Sequence, residues 1–258
     1  MVADGGPPGG GRVQLEYDQR LAIEESVAMT APEVGVSDAS GGRPGRVVSV
    51  NVGTPRVVDW FGRRVTTAIW KEPVAGRVPV AGVNVEGDDQ ADRRVHGGPA
   101  MAVYAYAAED YAWWSEKLGV ALAPGTFGEN LTLEGVDLQA CAVGEAWAVG
   151  TTRLRVTQPR FPCFKLGIRM GDAGFVERFA AARRFGAYFA IDGSGSVGAG
   201  DDARRLARPD EVLTIAEFIA ANEDADVDLL RRLADHALVP DAWRQHARKA
   251  LRRQATGS

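Results

Sequence analysis

One thiol lies between two fixed cations in Gln158-Pro159-Arg160-Phe161-Pro162-Cys163-Phe164-Lys165. Arg160 and Lys165 favour the thiolate of Cys163, the form that attacks electrophiles and binds soft metals. The preceding Thr151–Thr157 alternates polar and apolar residues, as a half-buried strand does. Pro159 and Pro162 lack backbone donors, so the ladder is expected to end there and hold Cys163 at a strand end. Elsewhere a lone cysteine reads as buried filler. Here the stiff, cationic setting points to chemistry.

Three other runs carry reactive groups at the ends of expected strands. Thr66-Thr-Ala-Ile-Trp-Lys-Glu-Pro73 sets Lys71 at a strand end, and Asp92-Arg-Arg-Val-His-Gly-Gly-Pro99 puts His96 before a Gly97-Gly98-Pro99 turn. Pro124-Gly-Thr-Phe-Gly-Glu-Asn-Leu131 carries Glu129 and Asn130 in a glycine-flanked loop. Each run alone is weak, because such residues ordinarily cap turns. On one barrel rim they would combine glycine donors with Lys71, Arg93, Arg94 and Arg160, a setting for an anion such as phosphate. His96 and Glu129 would add acid–base groups, and a Cys163–His96 nucleophile pair is a further option. The sequence has no Cys-x-x-Cys, no His-x-x-x-His, no P-loop and no Gly-x-Gly-x-x-Gly opening a helix. His236 and His246 fall in a helical tail and read as surface residues.

Strands are expected from Arg46, then at Val57–Trp60, Thr66–Trp70, Val83–Glu86, Met101–Ala105, Leu131–Leu133, Ala146–Val149, Arg153–Thr157 and Ala187–Ile191. Short strands parted by Gly and Pro predict a mainly β barrel or sandwich. Helices are expected at Ala107–Leu118, with Gly119 as its stop, and at Ala173–Arg184. Past Ala207 the pattern turns helical, at Val212–Asn222, Val227–His236 and Pro240–Arg253. The chain thus reads as a Gly/Pro-rich N-terminal extension (1–45, with a transient helix at Val13–Met29), a β domain (46–208) and a three-helix extension (209–258).

The 258 residues carry a net charge of −4, which argues against a nucleic-acid polymer as partner. Only Cys141 and Cys163 are present, too few for a disulfide framework and consistent with a reducing cytoplasm, although one Cys141–Cys163 bridge stays open. No leader peptide or membrane span is expected. Trp113 and Trp114 would point about 100° apart on a helix, so one ring is free to face a second copy in a homodimer.

In order, Ser49-Val-Asn-Val-Gly53, Thr67-Ala-Ile-Trp-Lys71, Val83-Asn-Val-Glu-Gly-Asp-Asp-Gln-Ala-Asp92, Val95-His-Gly-Gly-Pro99, Pro124–Leu131, Gln158–Lys165 and Val197-Gly-Ala-Gly-Asp201 resemble the MOSC domain. That family is named for the C-terminal part of molybdenum cofactor sulfurases, and its stand-alone bacterial, YiiM-like branch is the nearest in pattern. The resemblance covers roughly 46–208 and implies a MOSC-type β-barrel. It implies the molybdenum cofactor (Mo-molybdopterin) as cofactor, with Cys163 as metal ligand. Lys71, Arg94, Gly97, Gly98, Asn130, Arg160 and Lys165 would hold the cofactor, and His96 or Glu129 would donate a proton. It implies reduction of small N-hydroxylated substrates (hydroxylaminopurines, amidoximes) to amines, with electrons from a separate reductase. The alternatives are a sulfur carrier with a Cys163 persulfide and a cofactor-storage module. Phe185-Gly-Ala-Tyr-Phe189 replaces the family's usual Gly-Trp-Tyr segment, which would alter one wall of the site. No aminotransferase domain, and so no pyridoxal phosphate chemistry, fits in 45 preceding residues; this favours the reductase reading.

Overall fold

The computed structural model describes residues 44–89 and 97–256. Strands β1 (Gly45–Val52), β2 (Arg56–Trp60), β3 (Arg63–Thr67), β4 (Glu72–Pro73), β5 (Arg77–Ala81) and β6 (Asn84–Val85) come first. A 3₁₀ turn (Pro99–Met101), β7 (Val103–Ala107), α1 (Ala108–Leu118), β8 (Leu131–Glu134), β9 (Ala146–Val149) and β10 (Thr152–Pro159) follow. The remaining elements are α2 (Phe164–Met170), α3 (Phe175–Ala182), β11 (Ala187–Gly193), β12 (Gly195–Gly198), β13 (Asp202–Ala207), α4 (Ile215–Glu223), α5 (Val227–Asp235) and α6 (Asp241–Thr256).

Seven strands close a barrel in the order β13-β9-β10-β11-β7-β8-β1, with β1 pairing back onto β13. Closure removes the sheet edges that would otherwise stay unpaired. All of these pairs are antiparallel except β7–β8. The small sheet β12-β5-β6 and the β2–β3 hairpin lie outside the ring. The mainly β barrel expected from the sequence is therefore observed.

Several boundaries differ from the expectation. Thr66–Trp70 is a strand only through Thr67, because Ile69 N turns back to Thr67 Oγ1 (3.2 Å) and Lys71 N to Ile69 O (3.0 Å). Met101–Ala105 begins as the 3₁₀ turn and becomes strand at Val103, and Val83–Glu86 shrinks to Asn84–Val85. The strand before the cysteine runs on to Pro159, which pairs with Ala187. Strands β5, β12 and β13 were not expected. Pro79 sits inside β5 and joins the sheet through its carbonyl, which accepts from Glu86 N at 2.8 Å. Gly195 lies so close to β10 that a Cβ there would fall 2.4 Å from the Thr151 carbonyl, which explains glycine within β12.

Two apolar bodies brace the barrel. Tyr106, Tyr111, Trp114, Phe127, Phe175 and Phe179 form one aromatic cluster, with ring centroids 4.8 Å apart for Tyr106–Phe127 and 5.6 Å for Trp114–Phe179. Phe175 and Phe179 are one turn apart on α3, so both rings enter the cluster. The helical tail packs on the barrel next to that cluster, linked through Phe179–Phe185 (5.9 Å) and Phe185–Phe161 (5.4 Å). Trp243 lies 4.9 Å from Phe161 and 5.2 Å from Phe218. Helix α4 opens with a capping box between Thr214 and Glu217, and Asp226 caps α5. His236 corrects the surface reading: it is 2% exposed, and its ring bridges Glu211 O (3.1 Å) and Leu238 N (3.2 Å) to tie α5 to the chain before α4.

Candidate functional site

Gln158 shifts register against β11, a bulge that bends the end of β10. The residue left out of register, Thr157, donates to Ala100 O at 2.6 Å or Tyr188 O at 3.0 Å, anchoring the strand end to the 3₁₀ turn. Pro159 then ends the ladder, and Arg160–Cys163 cross the barrel mouth. Cys163 is the first residue outside α2, which continues through Lys165. That short helix was absent from the sequence reading, which had no signal strong enough over seven residues.

The result is an open cleft. Its walls bring together Lys71, Asn130, Arg160, Cys163 and Lys165 from three separate stretches of sequence. Met101, Tyr104, Tyr188 and one carboxylate, Asp89, also line them. Tyr104 and Tyr188 are direct partners across β7 and β11, which no local motif reveals. Tyr188 does belong to the segment expected to alter a wall.

The cations differ in their partners. Lys71 forms a buried ion pair with Asp88. Burial lowers the ammonium's proton affinity, and Asp88 works in the opposite direction. Asp88 also accepts from Gly53 N and Asn130 Nδ2, both at 2.9 Å. Asn130 accepts from Tyr104 N at 3.1 Å, so its amide ties the Lys71 side of the cleft to β7. Asp88 lay within a quoted run, but a single acid among several gave no reason to choose it.

Arg160 is buried, with its guanidinium 5.6 Å from the Tyr104 ring centre. Its proton is held more firmly than in an ordinary arginine. Burial opposes the charge, but Cys163, Tyr188 and Tyr104 more than offset that effect. Among the described residues no carboxylate lies within ion-pair distance of it. A buried cation without a carboxylate is costly unless an anion arrives to share the site.

Glu129 does not line the cleft. It is fully buried, and its Oε1 accepts from Tyr111 Oη (2.7 Å), Gly125 N (2.7 Å) and Thr132 Oγ1 (2.8 Å). Among the described residues Oε2 has no hydrogen-bond partner. Burial raises its proton affinity against the pull of these donors. Gly97 and Gly98 lead into the 3₁₀ turn without lining the cleft themselves. Arg93, Arg94 and His96 lie outside the described residues, as does Val13–Met29.

This barrel, with a thiol and cations at its mouth, defines a class that comparison confirms. Residues 92–204 match the MOSC domain. The protein YflK of Bacillus subtilis is 32% identical over 200 residues, covering 77% of this chain and 90% of YflK. The chain belongs to the MOSC domain family. Its fold is similar to the crystal structure of YiiM from Geobacillus stearothermophilus, with a TM-score of 0.67, 29% identity, and coverage of 81% of this chain and 100% of that one. A protein of Gibberella moniliformis named Reductase is 29% identical over 171 residues, which span 65% of this chain but 30% of that protein.

Proposed function

We propose that the cleft binds the molybdenum cofactor and that the protein reduces small N-hydroxylated compounds to amines. The observation that carries this reading is Arg160, a buried guanidinium without a carboxylate partner among the described residues, beside Cys163 on the wall of an open cleft. The cation fits a phosphate-bearing group, and the thiolate fits a soft metal. Among the described residues no three His, Cys, Asp or Glu side chains converge. One protein thiolate therefore suits a metal that arrives with its own donors. The resemblance between this chain and a protein named Reductase supports the reaction class.

In this reading Arg160 and Lys165 hold the anionic end of the cofactor, and Cys163 Sγ holds the metal. Bound there, the cofactor would supply the electron pair for the reaction RNHOH + 2e⁻ + 2H⁺ → RNH₂ + H₂O, drawn from a separate reductase. The chain's own contribution is binding, orientation and protons. Lys71 lines the cleft with a proton that burial has loosened, so it is the described wall residue placed to deliver one. Glu129, behind the wall, instead fixes the Gly125–Leu131 loop through its three donors.

The test is purification from a host that makes the cofactor, followed by molybdenum analysis and reduction of a hydroxylaminopurine with a chemical electron donor. Stoichiometric molybdenum with turnover supports the reading. Sulfane sulfur on Cys163 without molybdenum would replace it with a sulfur carrier. Bound molybdenum without turnover of any N-hydroxylated compound would replace it with a storage module.

A further inference from the structure

Next to the cleft stands a hairpin that takes no part in the barrel. Among the described residues β2 and β3 pair only with each other, and the direct partners Val58 and Val65 share one face with Trp60. Neither these three nor Val57, on the opposite face, joins the apolar core. Val57 is 51% exposed, and Phe61 at the tip is 69% exposed. A two-stranded hairpin is marginal by itself, and an apolar surface left open on it marks a contact site.

The tip is strained as well. Phe61 and Gly62 have φ of 50° and 74°, the positive values that both central residues of a tight hairpin turn need. Glycine meets that need freely, and asparagine serves well at the first position. A bulky ring there is out of place. Phe61 stays exposed against the edge of Trp60, with ring centroids 4.7 Å apart, so burial does not offset the strain. The turn gives no reason for Phe61; a partner would.

The hairpin is also basic. Arg56 and Arg63 lie at the two ends of the Val58–Val65 face and Arg64 on the other face, and none of them forms an ion pair among the described residues. Asp59 is opposite Arg64 in register, but it accepts from Gly62 N at 3.1 Å and serves the turn. Other arginines are answered: Arg77 pairs with Asp201 at 2.7 Å and Arg155 with Asp192 at 2.9 Å. On a chain with 34 acidic and 30 basic residues, this cluster of cations is set apart. Two such hairpins would bring like charges together, which disfavours a second copy here and favours an acidic partner.

The base of the hairpin reaches the site. Strand β3 ends at Thr67, and Thr67, Ala68 and Ile69 line the cleft. Arg56 rests 3.8 Å from the centre of the Trp70 ring, and Trp70 lies in the chain between the wall residues Ile69 and Lys71. Five-residue strands extend about 17 Å, so one partner can grip the tip and stand beside the cleft.

We propose that the β2–β3 hairpin is the docking arm for the electron donor, an acidic protein carrying a reduced flavin or iron–sulfur centre. The inference rests on the reductase reading, in which RNHOH takes up two electrons and two protons to give RNH₂ and water. The donor gives up the two electrons and leaves oxidised, and the protons come from solvent. An acidic face meets Arg63 and Arg64, and an apolar spot within it receives Phe61.

The test compares wild type with Phe61→Asn, with the pair Arg63→Glu and Arg64→Glu, and with a control pair, Arg252→Glu and Arg253→Glu, which makes the same charge change on exposed positions of α6. The probes are a plant-type [2Fe–2S] ferredoxin and a flavodoxin, both acidic. Binding is titrated calorimetrically at low and high salt, and reduction of a hydroxylaminopurine is driven by each reduced probe or by reduced methyl viologen. The proposal expects at least one probe to bind wild type, more weakly at high salt. Its affinity should fall about tenfold or more in both hairpin variants and stay unchanged in the control. Phe61→Asn should melt no lower than wild type, and the viologen-driven rate should be the same in all four proteins. Unchanged binding in the hairpin variants, an equal loss in the control, or no binding of either probe overturns the proposal. A wild-type dimer in light scattering that becomes a monomer in Phe61→Asn also overturns it, by giving the face to a second copy. If viologen drives no turnover of any N-hydroxylated compound, the functional reading fails, and the titrations still decide the docking arm.

Discussion

Cys141 and Cys163 are 3% and 4% exposed, and neither is in a disulfide, yet they occupy opposite electrostatic settings. Cys141 Sγ donates to Asp137 O at 3.4 Å. Burial first, then the neighbouring Glu145 carboxylate, pushes its thiol well above the ordinary range. The sequence around Cys141 has no cation within four residues, but the fold does bring some near. Arg208 approaches Glu145 at 3.2 Å and Arg205 at 3.7 Å, so both are engaged by the carboxylate and do little for the thiol. At Cys163 the neighbouring cation, Arg160, has no carboxylate within ion-pair distance among the described residues. Burial alone therefore does not make a cysteine inert or reactive. In the proposed reading, the cation buried beside it does.

The largest effect expected from this contrast is chemical. Cys163→Ser should lose bound molybdenum and reductase activity to background while its thermal melt stays within a few degrees of wild type, since a hydroxyl is a poor soft-metal ligand. Retained molybdenum in that variant would break the comparison. The contrast between cations can be broken as well. Asp88→Asn would leave the Lys71 ammonium buried without its carboxylate, costing about 3–5 kcal/mol in urea unfolding. Arg160→Gln removes a cation that has no such partner, so it should cost far less stability while slowing alkylation of Cys163 at neutral pH. Similar losses of stability in the two variants would show that Arg160 has an internal counter-ion after all.

Trp243→Ala opens a void under Phe161, two residues before Cys163, and should cost about 3–5 kcal/mol. Molybdenum content should fall with it. Full molybdenum in a destabilised Trp243→Ala protein would show that the tail does not hold the cysteine segment in place.

Glu129→Gln isolates a pH effect. The folded-state proton affinity of Glu129 is raised from an ordinary value of 4.5. Ionisation in the unfolded chain then drains stability as pH climbs above that value, until the folded group also ionises. Glu129→Gln lacks this drain, so its stability relative to wild type should increase from pH 4 upward. Chemical denaturation across pH 4–8 checks the sign; a relative decrease would mean that the three donors hold Glu129 ionised. The smallest effect belongs to Cys141→Ser, with activity near wild type and a stability loss of about 1 kcal/mol.

Much of the barrel was legible because its strands carry local alternation: Ala146–Val149 matches to the residue, and β1, β8 and β10 are close. What was missed depends on partners distant in sequence. Strand β13 reads as polar because of the exposed Asp202 and Arg204, and only pairing with β9 and β1 makes it a strand. The cleft's thiol and its cations were visible because Arg160, Cys163 and Lys165 are contiguous. Asp88 and Tyr104 were not, since they meet the site through a long-range ion pair and strand register, and Tyr188 was visible only as part of the Phe185–Phe189 segment. Glu129 was visible as a carboxylate, but its orientation away from the cleft is a tertiary fact.

The most direct test of the central claim is molybdenum measured per polypeptide in wild type, Cys163→Ser and Cys141→Ser, purified in parallel from a cofactor-producing host with folded state verified by melting. The account predicts about one molybdenum in wild type and Cys141→Ser, and only background in Cys163→Ser. Equal molybdenum in all three folded proteins, or an equal loss in both variants, would contradict it.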